Sequence, residues 1–257
     1  MRILVLGGTT EASAFARESA RRPDFAATLS LAGRTEAPAD RSVPTRIGGF
    51  GGVDGLIRWL ADNAIEAIVD ATHPFAAEMT RHAAAAAAAT GLPLIGLRRP
   101  GWPRRPGDRW VEVPDLDAAA AAIGETPKRV LVTLVRRGLA GFEAAPHHHY
   151  VIRTIDHPGD LDGLPDHSLI LDPGPFDLDG ERNLMTIARI EVLVTGNCGG
   201  AASRPQIEAA RDLGLPVVMV APPPPPPGMP VTASIAEVFA FLESHRRGAR
   251  RPAEDAE

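Results

Sequence analysis

Short apolar runs recur along the chain, each followed by a stretch whose apolar positions fall three and four residues apart. Residues 3–6 form the first run, and helical spacing follows over 10–21. The same alternation predicts strands at 26–31, 67–69 and 94–97 and helices at 52–63 and 76–90. The alanine run 83–89 lies inside the last helix, and alanine has the highest helix propensity, so a packed helix is expected there. Strands alternating with helices imply parallel βα units and a doubly wound α/β sheet.

The pattern breaks at 98–107, where three prolines and two glycines stand in ten residues, as expected of a crossover between domains. A second alternating series follows. It predicts strands at 110–113, 130–134, 150–155, 168–171, 190–195 and 216–220, and helices at 115–123, 138–144, 178–188, 201–213 and 235–245. The reading is an α/β protein with two Rossmann-like domains, each a parallel sheet flanked by helices: 1–97, a linker 98–108, and 109–245. Six consecutive prolines at 222–227 predict a polyproline II spacer into the last helix. The charged residues 246–257 are expected to be disordered.

Composition narrows the function. With 257 residues, 44% hydrophobic and 23% charged, the chain is long enough for two such domains. A net charge of −5 supplies no global basic field, so no nucleic-acid partner is expected. No apolar run approaches the roughly 20 residues of a membrane span, so no membrane partner is expected. Cys198 is the only cysteine, which excludes an internal disulfide framework and a thiolate-rich metal site, and makes a reducing cytoplasm the default location. Of the 27 basic residues only Lys128 is lysine. Arginine forks suit carboxylates and phosphates, although a GC-rich genome favours the same codons and is the simpler account.

Candidate chemistry gathers at strand ends, where open α/β sheets bind ligands. The first strand runs into Leu6-Gly7-Gly8-Thr9-Thr10-Glu11, a strand–glycine–helix turn of the phosphate-binding kind, though without the full G-x-G-x-x-G spacing. After the second strand come Gly33, Arg34 and Thr35. An acid at this point would favour NAD, whereas arginine pairs with a 2′-phosphate and points to NADP(H). The segment Arg46-Ile47-Gly48-Gly49-Phe50-Gly51-Gly52 reads as a loop whose backbone lies against a ligand. The third strand ends in Asp70-Ala71-Thr72-His73-Pro74-Phe75, where His73 could donate a hydrogen bond or proton and Asp70 could orient it or cap the helix. In the second half, Asn197, Cys198, Gly199 and Gly200 form another strand–turn–helix junction, and Asp172-Pro173-Gly174-Pro175-Phe176 is a rigid turn with an aromatic tip. Cys198 has no base beside it in sequence. Consecutive residues of a strand point to opposite faces, so His147, His148 and His149 are not expected to share a metal.

Taken in order, these segments, together with Arg-Pro-x-Trp, Gly-Pro-Phe and Thr-x-Asn-x-Gly-Gly, resemble the precorrin-6A reductase / cobalt-precorrin-6A reductase family of cobalamin biosynthesis over residues 1–220. The resemblance implies a two-domain Rossmann-like oxidoreductase that uses NADPH to reduce one double bond of a corrin-precursor macrocycle, with or without cobalt. It implies that Gly7, Gly8, Thr9, Thr10, Glu11 and Arg34, with Gly33 and Thr35, hold the cofactor's phosphates and ribose. Gly49, Phe50 and Gly51, and Asp70, Ala71 and Thr72, would flank the nicotinamide, with His73 or Thr72 as a proton source. The macrocycle would lie in an interdomain cleft, with Arg99, Arg136 and Arg153 as carboxylate anchors and Phe176, Asn197, Gly199 and Gly200 as further substrate contacts. No metal is expected. Transient contact with neighbouring pathway enzymes is the one macromolecular partnership implied. Val135, Pro173 and Gly196 stand where the family pattern has glycine, arginine and lysine. From the residues alone, an NADP- or tetrapyrrole-binding protein without turnover, or a reductase of a smaller, less anionic substrate, remain the alternatives.

Overall fold

A computed structural model describes residues 1–32, 42–134, 139–155 and 157–248. The chain divides into two compact units, Met1–Pro100 with Pro224–Glu257, and Gly101–Pro223.

The first unit begins with β1 (Arg2–Leu6), α1 (Thr10–Ala20), β2 (Ala26–Leu31), β3 (Thr45–Ile47), α2 (Gly52–Asp62), β4 (Ala67–Asp70), α3 (Ala77–Thr90) and β5 (Leu94–Leu97). The side-chain alternation of β1 shows why this sheet needs helices on both sides. Ile3 and Val5 enter one core with Ala12, Phe15 and Ala16 of α1, while Leu4 and Leu6 enter another with Leu56 and Leu60 of α2 and Ala83, Ala86 and Ala87 of α3. The alanine run is therefore a packed helix whose buried positions recur three and four apart. It stops at Gly91, whose φ of 70° serves the left-handed cap.

The second unit comprises β6 (Arg109–Val113), α4 (Leu116–Ile123), β7 (Arg129–Val132), a 3-10 turn (Leu139–Ala144), β8 (His149–Thr154), β9 (His167–Leu171), α5 (Leu178–Ile187), β10 (Val192–Gly196), a 3-10 turn (Ala201–Ser203), α6 (Arg204–Asp212) and β11 (Pro216–Val220). Its six strands are parallel in the order β6-β11-β10-β7-β8-β9. Leu131, Val151, Leu193, Val217 and Met219 pack on one face against Met185 of α5 and Ile207, Ala209 and Ala210 of α6. Three expectations shift. The helix expected at 138–144 is a 3-10 turn over Leu139–Ala144. The helix expected at 201–213 opens as a 3-10 turn, and its α-helical part begins around Pro205, which has no N–H to donate and suits the first helical turn. Gly196 is the buried last residue of β10, in register with Val220, rather than part of the following turn.

The chain then returns. After the proline run come β12 (Val231–Thr232) and α7 (Ile235–Gly248). Both belong to the first unit, so the second ends at Pro223 and not at 245. β12 pairs in parallel with β5, with Gly96 N donating to Pro230 O (2.8 Å) and Arg98 N to Thr232 O (2.8 Å). The finished first sheet is parallel in the order β3-β2-β1-β4-β5-β12. Gly96 gives that pairing room: a Cβ there would approach Met229 Cε at 3.0 Å and Val231 Cγ2 at 3.1 Å, so both side chains would have to shift slightly. α7 covers the α1 face: Phe239 stacks on Phe15 (4.8 Å between ring centres) and tilts against Phe25 (5.2 Å), beside Val238 and Leu242. α7 also continues beyond His245 to Gly248; the rest of the tail lies outside the described residues.

Phe239→Ala should lower the stability of the first unit by about 3–5 kcal/mol, because it empties an aromatic site at the centre of this core. A thermal or urea denaturation curve checks this; a shift under 1 kcal/mol would mean α7 is not part of that core.

Candidate active site

Strand order in the first sheet reverses between β1 and β4, and open α/β sheets bind ligands in the crevice at such a point. Two loops form its rim. In the first, Gly7 N continues the sheet ladder to Ser30 O (2.9 Å), and a Cβ on Gly7 would lie 2.6 Å from Leu29 Cδ1. Gly8 has φ of 110°, with open space where a Cβ would stand. Thr9 caps α1: its Oγ1 accepts from Ala12 N (3.1 Å) and donates to Ala71 O (2.8 Å) across the strand ends. Thr10 and Glu11 open the helix, and Glu11 Oε2 pairs with Arg99 Nη1 at 2.6 Å, linking the turn to the segment after β5.

The second loop follows β4 and hangs on Asp70, which has no solvent exposure. Its Oδ1 accepts from Thr72 N (3.1 Å) and Thr72 Oγ1 (2.6 Å), and its Oδ2 from Thr80 Oγ1 (2.7 Å). Arg98 Nη2 lies 3.7 Å from Oδ2 and donates to Thr80 Oγ1 (2.9 Å). Asp70 thus braces the loop from beneath. It does not cap α3, whose cap residue is Ala76 with no side-chain bond. Thr72 gives its hydroxyl hydrogen to Asp70, which speaks against it as a proton source. His73 Nδ1 accepts from Phe75 N (3.3 Å), so the neutral ring carries its hydrogen on Nε2.

The glycine loop 48–52 precedes α2. Gly48, Gly51 and Gly52 all have positive φ (118°, 78° and 86°), which accounts for the glycine density. Phe50 is held because the backbone of Gly55 comes so close that a Cβ there would lie 1.7 Å from Phe50 O. Arg46, on β3, spans the loop: Nη1 donates to Ser30 Oγ (2.8 Å) and Gly48 O (2.9 Å), Nη2 donates to Gly49 O (3.0 Å), and the guanidinium sits 3.9 Å from the Phe50 ring centre. Gly33, Arg34 and Thr35 lie outside the described residues.

In the second unit the expected anchors fare differently. Arg153 is buried, and its Nη1 lies 2.7 Å from Oε1 of Glu181, which is also buried. Its Nη2 donates to Gln206 Oε1 (3.3 Å) and its guanidinium lies 4.0 Å from the Phe176 ring centre. Gln206 Nε2 continues to Thr195 Oγ1 (2.9 Å), which accepts from Thr133 Oγ1 (2.9 Å). Burial pushes the Glu181 carboxyl above its ordinary range, against the pull of Arg153. Arg153 is therefore an internal tie between strand ends rather than an open anchor. Asn197 is likewise engaged: its Oδ1 accepts from Trp102 N (2.6 Å) and a Cβ on Gly101 would meet its side chain at 2.7 Å, so it clamps the crossover segment. Arg136 lies outside the described residues, and Gly199 and Gly200 form the turn before α6. Cys198 is buried.

Strand alternation does not set the three histidines apart: only His149 lies on β8, while His147 and His148 stand in the turn before it with their ring centres 4.0 Å apart. His147 Nε2 lies 3.3 Å from Gly124 O, His148 Nδ1 accepts from Lys128 N (3.2 Å), and His149 contacts Asp166 (2.5 Å) and Ser168 (3.1 Å). Among the described residues no group of three His, Cys, Asp or Glu side chains is placed to hold a metal ion.

The family model described as precorrin-6x reductase CbiJ/CobK matches residues 2–243. The chain belongs to the precorrin-6x reductase family. It is 44% identical to a precorrin-6A reductase of Rhodobacter capsulatus over 95% of this chain and 96% of that protein. It is 48% identical to one from Sinorhizobium sp over 85% of this chain and 84% of that protein. A cobalt-precorrin-6A reductase of Priestia megaterium is 28% identical over 85% and 89%. The solved structure of CobK precorrin-6A reductase superposes with a TM-score of 0.83 at 44% identity, covering 95% of this chain and 97% of that one. As a member of the precorrin-6x reductase family the chain is an oxidoreductase acting on a carbon–carbon double bond, and it requires a hydride donor. The resemblance and the parallel α/β fold read from the sequence both hold. Sequence reading did not single out Arg46, Thr80, Arg98, Glu181 or Gln206. Arg46 stood within the glycine motif; the others carried no local signal.

Thr9→Val removes both the α1 cap and the bond to Ala71 O. It should lower stability by about 1–2 kcal/mol in a denaturation curve. His148 gives a pH dependence. Burial holds its ring below the ordinary value of 6.5, with repulsion from His147 and Lys128 adding to the effect. The unfolded chain binds that proton first as pH falls, so this contribution is complete above 6.5 and drains away below it. His148→Asn, which keeps an acceptor for Lys128 N, should flatten the loss of stability below that pH; an unchanged profile would remove His148 from the cause.

Proposed function

We propose that this chain is an NADPH-dependent precorrin-6A reductase that binds its cofactor on the first unit. The observation that carries this reading is the β1–β4 switch point, where Gly8 at φ of 110° leaves open the space a Cβ would fill and Thr9 ties the two rim loops together. That cradle fits a dinucleotide diphosphate, which needs close backbone approach and N–H donors at a helix start. NADPH when bound supplies the hydride.

The protein's residues do the positioning. Gly7, Gly8, Thr9, Thr10 and Glu11 receive the diphosphate, with Arg34 assigned from its place in sequence to the ribose 2′-phosphate. The loop of Asp70, Ala71 and Thr72 flanks the reacting end, and the loop of Gly49, Phe50 and Gly51, which follows β3 beyond β2, contacts the adenosine half of the cofactor. His73 is assigned to the proton added beside the reduced carbon, acting in its imidazolium form, which gives up one proton and regains it from water. Asp70, Thr72, Thr80 and Arg98 keep that loop in one shape. In the second unit Phe176, Gly199 and Gly200 offer flat, close contacts suited to a macrocycle. Arg136 is assigned to its carboxylates in preference to Arg153, which is already paired. The substrate is assigned as the cobalt-free form, because relatives named precorrin-6A reductase share 43–48% of residues and those named cobalt-precorrin-6A reductase 24–28%. Among the described residues no helix is long and apolar enough to cross a membrane, and a single cysteine fits a reducing cytoplasm.

The test is direct. NADPH absorbance should fall when precorrin-6A is added to the wild-type protein. Gly8→Val should abolish NADPH binding while circular dichroism stays native, and the milder Gly8→Ala should weaken it. Retained binding in Gly8→Val would put the phosphate site elsewhere, and no oxidation of NADPH by the wild type would overturn the activity.

A further inference from the structure

Among the described residues Arg46 is a cation without a counter-charge. Its hydrogen bonds to the described residues all go to neutral acceptors: the hydroxyl of Ser30 and the carbonyls of Gly48 and Gly49. Among the described residues no carboxylate lies within ion-pair distance of it, whereas Arg98, Arg99, Arg153, Arg182 and Arg211 all have one. Partial burial pulls its pKa down from the usual arginine value, and no carboxylate among the described residues offsets that desolvation.

Its placement is rigid. Arg46 stands on β3 in register with Ser30 of β2, and the shared hydrogen bond puts its fork at the carboxyl ends of both strands. One face of the guanidinium lies on Phe50 (3.9 Å) and near Trp59 (5.5 Å), which meet edge to face at 5.6 Å between ring centres. Both Nη1 hydrogens are taken, by Ser30 and Gly48, and one Nη2 hydrogen by Gly49. Of the five N–H donors of a guanidinium, that leaves Nε–H and the second Nη2 hydrogen without an acceptor among the described residues. A pre-aimed cation with two donors to spare suits a phosphate better than a hydroxyl.

In a sheet of this strand order the end of β2 is where the ribose bearing the adenine is read, by an acid for a 2′-hydroxyl or an arginine for a 2′-phosphate. We infer that Arg46 is a specificity-determining residue that recognises the 2′-phosphate of the cofactor, in addition to whatever Arg34 contributes. This rests on the reading of the first unit as a dinucleotide site. A residue that merely braced the glycine loop would affect NADPH and NADH alike; a phosphate ligand separates them.

The experiment titrates NADPH and NADH into the wild-type protein, Arg46→Met and Arg46→Lys, following bound-nucleotide fluorescence. Arg46→Met keeps the stem that packs on Phe50 and should weaken NADPH about tenfold or more, with NADH changed less than about twofold. Arg46→Lys keeps the charge without the fork and should lie between. A second measurement needs no substituted protein to bind. The Arg46 Nε–H resonance, assigned by its loss in the spectrum of Arg46→Lys, should shift in the wild type with 2′,5′-ADP and stay still with 5′-AMP. Equal weakening of both cofactors in Arg46→Met, or equal shifts with both fragments, would overturn the inference and leave Arg46 a brace. If the wild type binds neither NADPH nor NADH, the dinucleotide reading itself fails.

Discussion

A carboxylate taken fully out of water must be compensated on every side, and at Asp70 the first unit is arranged around that requirement. The compensation comes from Thr72 in the loop after β4, from Thr80 in the second turn of α3, and from Arg98 just after β5. Each donor lies on a different segment, so satisfying one anion fixes three pieces of chain at once. The loop after β4 then has one shape. That shape presents Ala71 O to Thr9 and leaves His73 with its Nδ1 turned to its own backbone. The rim of the β1–β4 crevice is preorganised by a buried charge that no bound molecule needs to touch.

The second unit uses the same device with less complete satisfaction. Arg153, Glu181, Gln206, Thr195 and Thr133 tie the carboxyl ends of β7, β8 and β10 to α5 and α6. Here the ion pair is close and buried, and burial still lifts the Glu181 carboxyl. Charge alone would make Arg153 a substrate anchor. Its burial, and the aromatic ring of Phe176 lying on it, show that its role is to hold the Gly174-Pro175-Phe176 turn in place. Arg46 is the contrast: also stacked on a phenylalanine, yet with no carboxylate beside it among the described residues.

Chain connectivity adds a constraint of its own. β12 and α7 complete the first unit only after the whole second unit has been traversed, so the first core closes with the final helix. The proline run marks the return. Prolines cannot donate to a sheet, which lets the chain leave β11 without extending the second sheet before β12 joins the first.

What the sequence by itself determined was everything that repeats locally. The period of apolar positions, the glycines and the caps are set within one turn or one strand, so most strands and helices, the parallel α/β class and the strand–glycine–helix turns were legible, as was the family resemblance. β3 and β12 were not, because three and two residues carry no period. Nor was the return of the last helix, since an amphipathic face does not say which core it will meet. Only the tertiary structure decided which polar groups are already spent. Thr9 finds Ala71 at a separation of 62 residues, Arg99 finds Glu11 at 88, and Asn197 finds Trp102 at 95. Such partners are chosen by sheet order rather than by neighbours in the chain, and they turned Asn197 and Arg153 from expected ligand contacts into structural ties while leaving Arg46, among the described residues, with donors to offer.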